Sequence, residues 1–216
     1  MPHNTSSFSA DWAAHAFEKL HQESGQGIEA IIHSAWAITL WCYSGDGDIS
    51  FPSVRNRTQS RCTASISGMS NIASLVQSMG DRTVEEVSNE PAVQIGPNSK
   101  QNPLSNTVAV FATSEDAVNY VTVVMKSYLT GLACTITAGQ ITCTVHYSEQ
   151  AIDSKTADRI SATFSRIMDL IMAGADTTLN SVDIVSENDM REVCLWTRHS
   201  AAGVLIVVTL VALELE

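Results

Sequence analysis

Between Leu132 and Tyr147 apolar and polar residues alternate almost without a break. Leu132, Cys134 and Ile136, followed by Ile141, Cys143, Val145 and Tyr147, share one face of an extended chain. Thr135, Thr137, Thr142, Thr144 and His146 share the other. A period of two is the pattern of a half-buried strand. Ala138-Gly139-Gln140 separates the two runs, and a Gly-X pair suits the type II′ turn of a right-twisted hairpin. The pattern predicts an antiparallel hairpin with Ala138 opposite Ile141, Ile136 opposite Cys143 and Cys134 opposite Val145. Cys134 and Cys143 are then diagonal neighbours, so a disulfide between them is open but not favoured.

A helix follows. Asp153 or Ser154 supplies its N-cap, and Ala157, Ile160, Phe164, Ile167, Met168 and Ile171 recur at spacings of three and four. Gly174 is placed to end it. One hairpin and one helix leave apolar faces uncovered, so the earlier chain must supply further strands. Strands and helices together point to an α+β fold.

The earlier chain offers candidates for these partners. Ser9 caps a first helix carrying Trp12, Ala13, Ala16, Phe17 and Leu20. A second, running from Ile28 to about Cys42, is apolar around most of its circumference and should be buried on most sides. Ser44 to Asp48 is turn chemistry. Ile49 to Val54 reads as a short strand near its end or at a sheet edge, because it meets Pro52. Ile72 to Met79 and Tyr120 to Met125 read as strands, as does Leu104 to Ala112. Thr83-Val84-Glu85-Glu86 is a capping box whose helix is cut short by Pro91, and residues 96–103 form a loop. Val182 to Val185 is extended, and Ser186 to Asp189 starts a helix leading to Trp196.

Gly203 to Leu213 is almost wholly apolar. It is well short of the ~20 residues that span a bilayer as a helix. It reads as a non-homologous end, with a buried strand or an aggregation-prone segment as alternatives.

The net charge of −11 opposes binding to nucleic acid or an anionic membrane. The five cysteines, Cys42, Cys62, Cys134, Cys143 and Cys194, lack zinc-site spacing. Without a signal peptide at the start, a reducing cytoplasmic setting is expected.

Several segments, in order, resemble the C-terminal half of a condensation domain from a fungal-type nonribosomal peptide synthetase. Residues 32–40, Ile-His-Ser-Ala-Trp-Ala-Ile-Thr-Leu, are similar to that family's apolar-x-Ala-Ala-Trp-Ala helix. Residues 43–51, Tyr-Ser-Gly-Asp-Gly-Asp-Ile-Ser-Phe, are similar to its Tyr-Ser-Gly…Asp-Val-x-Phe segment. Arg55-Asn56-Arg57 stands near the family's Gly-Arg without the glycine. Leu104 to Phe111 resembles its Leu-Phe-x-Thr-x-x-Asn-Phe strand, and Trp196-Thr197 stands where Trp-Asn is usual.

The resemblance covers roughly residues 5 to 197. It makes residues 1–197 a partial condensation domain, shortened between about 60 and 105, and residues 198–216 an apolar tail. It implies an α+β fold, the single C-terminal lobe of a two-lobed fold of the chloramphenicol-acetyltransferase type, with a mixed sheet flanked by helices. Acyl groups tethered to phosphopantetheine arms of carrier proteins enter a tunnel between the lobes, where an amine attacks a thioester. The implied partners are an N-terminal lobe or a peptidyl carrier domain, and no cofactor is bound directly.

The family's active histidine belongs to an HHxxxDG motif. None of His3, His15, His21, His33, His146 and His199 stands in such a motif. His146 on the polar face of the hairpin is an exposed strand histidine before it is a base. His33 lies in an apolar helix and reads as hydrogen-bonded scaffold. Asp46 and Asp48 lack the further ligands that calcium needs. Glu85 and Glu86 belong to a cap and a solvated face. No catalytic, cofactor-binding or metal-binding residue is assigned. The expected function is therefore a condensation-domain fragment without catalysis of its own, with a complementing half-domain and an acyltransferase using an unrecognised base as alternatives.

Overall fold

The structure, a computed structural model, describes residues 3–6, 12–13, 17–18, 22, 25–55, 58–66, 71–80, 104, 106–112, 115–137 and 140–173. In chain order the elements are β1 (His3–Ser6), β2 (Trp12–Ala13), α1 (Ile28–Ser44), β3 (Asp48–Arg55), β4 (Thr58–Ser65), α2 (Ile72–Gly80), β5 (Thr107–Ala112), α3 (Glu115–Met125), β6 (Thr130–Thr137), β7 (Gln140–Ser148) and α4 (Ser154–Met172). The seven strands form one mixed sheet in the order β1-β7-β6-β5-β3-β4, with β2 also paired to β7. β3, β5 and β6 run parallel, and the remaining pairs are antiparallel. The expected α+β architecture, a mixed sheet flanked by helices, is the one observed.

The two sheet faces follow from the alternation. On one face Phe51, Ala109, Phe111, Leu132, Cys134, Ile141, Cys143, Val145 and Tyr147 are all buried. α1 and α4 pack over this face and against each other. Trp36 of α1 meets Phe164 of α4 edge to face, with ring centroids 6.1 Å apart, and the Tyr43 hydroxyl lies 3.0 Å from Thr163 Oγ1. α1 is buried continuously from Ala30 to Leu40, as its all-round apolar sequence demands. Its interior hydroxyls stay satisfied because Ser34 donates to the Ala30 carbonyl and Thr39 to the Ala35 carbonyl. Gly45, at φ +72°, ends the helix in the left-handed conformation that suits glycine, its N–H bonded to the Trp41 carbonyl.

The opposite face is closed over its centre by α3, where Val121 and Met125 pack on Val54, Val108, Val110, Ala112 and Ala133. Gly131 of β6 lies directly beneath Met125, and a Cβ at this position would meet the Met125 side chain and Val108. The helix can approach the sheet so closely because that strand position has no side chain.

Several expectations need correcting. The hairpin loop holds two residues, so Thr137 pairs with Gln140, Ile136 with Ile141 and Cys134 with Cys143. The two cysteines are direct partners, not diagonal ones. Ile72 to Met79 is helical, and its apolar positions 72, 75, 76 and 79 carry a helical spacing that outweighs their strand propensity. Tyr120 to Met125 is the second half of α3, where burial against the sheet overrides a β-branched run. Trp12 and Ala13 form a two-residue strand rather than the start of a helix. β3 is an interior strand despite Pro52. It pairs with β5 only from Ser53 onward, so the residue without an N–H lies outside that ladder.

Asp153 is the N-cap of α4, its carboxylate accepting from the Thr156 N–H at 2.8 Å and the Thr156 hydroxyl at 3.0 Å. α4 ends with Ala173 as its C-cap. Gly174, the capping box at 83–86, the loop at 96–103, the segments from Val182 to Trp196 and the apolar tail lie outside the described residues.

Candidate functional site

Two polar links join α1 to β3. Glu29 and His33 are one helical turn apart and so lie on one side of α1. Ser53 and Arg55 are two apart on β3 and so share one face. Four helical residues rise about 6 Å and two strand residues nearly 7 Å, so the two pairs can be matched in parallel. They are. His33 Nε2 lies 2.8 Å from Ser53 Oγ, and Arg55 Nη1 lies 2.8 Å from Glu29 Oε1.

The His33 ring is enclosed by aromatic residues. Phe111 of β5 meets it edge to face at 5.0 Å, and Phe51 of β3 lies tilted at 5.8 Å. Phe111 is the register partner of both Arg55 and Cys134. Glu29, His33, Ser53, Arg55, Phe111 and Cys134 thus gather toward the carboxyl ends of the three parallel strands. In open sheets with parallel strands, that end is where ligand sites form.

Electrostatics divide this cluster into a dry interior and a wet rim. Burial lowers the His33 pKa from 6.5 to about 4, so the imidazole is neutral near pH 7. Burial raises the Glu29 carboxyl above its ordinary value, against the opposing pull of the Arg55 guanidinium. The Cys134 thiol is pushed up by burial first, then by Cys143, and last by Glu29. Arg55 is 56% exposed, so the ion pair sits where solvent screens it.

A histidine beside a serine hydroxyl is half of a nucleophilic pair. Here the serine is 4% exposed and the histidine 9%, and so strongly lowered a pKa matches poorly to proton abstraction near neutrality. The geometry makes His33–Ser53 a buried polar link that fixes the helix on the sheet. This agrees with the scaffold role expected for His33.

His146 lies on the face of β7 opposite the main core, half-buried, between Thr5 of β1 and Gly131 of β6. It is therefore less open than the exposed strand histidine expected there. Asp46 and Asp48 are used locally: the Asp46 N–H donates to Ser44 Oγ at 3.1 Å, and Asp48 Oδ1 accepts from the Ser65 hydroxyl at 2.6 Å. His3 belongs to β1, whereas His15, His21, His199, Glu85 and Glu86 lie outside the described residues. Among the described residues no group of three or more His, Cys, Asp or Glu side chains is arranged to hold a metal ion, and no helix is long and apolar enough to cross a membrane.

Sequence reasoning had picked out His33 without its partner. The His33–Ser53 and Glu29–Arg55 pairings were missed, and the only available signal was the match between a helix spacing of four and a strand spacing of two.

No protein-family model and no curated protein sequence matches the chain. Solved structures do. The condensation domain from the monacolin K polyketide synthase MokA superposes with a TM-score of 0.59 at 11% identity, over 82% of this chain and 49% of that one. The starter condensation domain of rhizomide synthetase RzmA gives 0.54 at 13% identity, over 86% and 49%. The X-domain from teicoplanin biosynthesis gives 0.55 at 12% identity, over 83% and 50%. The chain therefore has a condensation-domain-like fold and spans about half the length of the structures it matches.

Proposed function

We propose that this chain is the C-terminal lobe of a condensation-type domain of nonribosomal peptide synthesis and forms no amide bond by itself. The observation that carries this reading is the half-length match: most of this chain superposes on about half of each condensation-domain structure. The order of the motifs around residues 32–40, 43–51 and 104–111 supports the C-terminal assignment. His33, buried against the sheet, is held by Ser53 and kept neutral, which argues against an acyltransferase built on it.

The same half-length match favours a second role, in which the lobe complements a separate lobe bearing HHxxxDG. Substrates would then arrive as thioesters on phosphopantetheine arms of carrier proteins in the cytoplasm, with no cofactor held by this chain. The test is amide formation between two aminoacyl-loaded carrier proteins, with this chain alone and after co-expression with such a lobe. No product from the chain alone is expected. Product from the chain alone overturns the proposal. Co-purification with restored turnover establishes complementation, and failure of the two lobes to co-purify leaves the non-catalytic fragment.

A further inference from the structure

Cys134 and Cys143 face one another across β6 and β7 with their sulfur atoms 3.1 Å apart. Both are buried, at 0% and 1% exposure, on the sheet face that packs beneath α1 and α4. The loop is closed by Thr137 and Gln140, and the ladder alternates from that hydrogen-bonded pair. Cys134–Cys143 therefore falls at a non-hydrogen-bonded site, where facing Cα atoms come within about 4.5 Å. That separation lies inside the range of roughly 4.4–6.8 Å bridged by disulfides. Closing the sulfurs to a bond of about 2.05 Å needs a movement of about 1 Å, within reach of the side-chain torsions.

We infer that this pair is a redox modification site: a buried dithiol that a small peroxide converts to a cross-strand disulfide. Burial raises the Cys134 thiol pKa, so its thiolate is the minor form and reacts slowly, and it closes access to bulky oxidants, which leaves a reagent as small as hydrogen peroxide. In the first step one sulfur, as its thiolate, attacks a peroxide oxygen. The O–O bond breaks, giving a sulfenic acid and, after protonation, water. In the second step the other sulfur displaces that oxygen as a second water, and the S–S bond forms. The two thiols lose two electrons and two protons, and the peroxide accepts both. The bond ties β7 to β6 directly beside Phe111, the ring against which His33 rests.

The test is to expose the folded full-length chain to hydrogen peroxide, quench it, denature it without reductant, alkylate it and map its peptides by mass spectrometry. A peptide linked through Cys134 and Cys143, with a mass two hydrogens below the dithiol and reversed by dithiothreitol, is expected. C134A and C143A should each abolish the link, and the oxidised wild-type chain should melt at a higher temperature than the reduced one. Full alkylation of both cysteines after oxidation overturns the inference. So do links that run instead to Cys42, Cys62 or Cys194, and oxidation of either thiol only to sulfinic acid. If one alanine variant fails to fold, the wild-type peptide map alone still decides the question.

Discussion

His33 and Ser53, twenty residues apart in sequence, share a buried hydrogen bond of 2.8 Å that ties the first half of α1 to the carboxyl end of β3. The ring nitrogen and the hydroxyl have left water, and each depends on the other. S53A leaves the nitrogen without its partner and is expected to destabilise the fold by about 1–3 kcal/mol in urea denaturation. H33F/S53A, which removes both polar groups, should recover part of that loss. A double variant no more stable than S53A would show that the hydrogen bond is not what holds the two elements together.

Stability should fall as the pH is lowered below neutrality. His33 has its folded pKa depressed from 6.5 to about 4, so between these values the unfolded chain binds the proton and the folded chain resists it. The loss is at most about 1.4 kcal/mol per pH unit across that window and is complete below the folded value. Glu29 acts with the opposite sign, because its folded pKa is raised and protonation favours the folded state. Comparing wild type with H33Q at pH 7, 6 and 5 isolates the histidine. Equal slopes for both proteins would remove His33 from the pH response.

Gly131 sets the spacing between α3 and the sheet. G131A places a methyl group against the Met125 side chain and Val108, and should cost about 1–3 kcal/mol through overpacking. The Met125 atoms it meets are the end of a flexible side chain, so M125A should cost less in the G131A background than in wild type. Strict additivity of the two changes would mean that these residues do not compete for the same space.

Asp153 begins α4 by accepting from the backbone and the hydroxyl of Thr156. D153A should lower the thermal midpoint, and D153N, which keeps an acceptor oxygen, should lower it much less. Because these hydrogen bonds depress the Asp153 pKa, its contribution is present above the ordinary carboxylate range and is lost as the pH falls through the folded value. Equal midpoints for D153A and wild type would assign the helix start to packing alone.

The residues differ in how openly they announced their place. Leu132 to Tyr147 alternates cleanly, and both its strands and its buried face were legible. Its register was not, because a slip of two residues leaves the facing pattern unchanged. The buried helix at Ile28 was equally plain in the sequence, which also narrowed the cap of α4 to Asp153 or Ser154, of which the structure uses Asp153. Thr58 to Ser65 was missed as a strand because it lies at the sheet edge, where only Ala64 is buried. Tyr120 to Met125 misled in the other direction, since its β-branched residues serve a helix whose inner side is Val121 and Met125. The polar links of α1 escaped because Ser53 and Arg55 look like ordinary strand residues until the helix is laid across them.

β1 completes the sheet by pairing with β7, so that His3 stands opposite Ser148. A ribosome releases the first of these strands long before the second. During synthesis the opening segment has no edge to join, and it must wait until nearly the whole sheet has been delivered. Assembly of that edge must follow the release of β7, and the waiting strand is a natural point of capture by a chaperone.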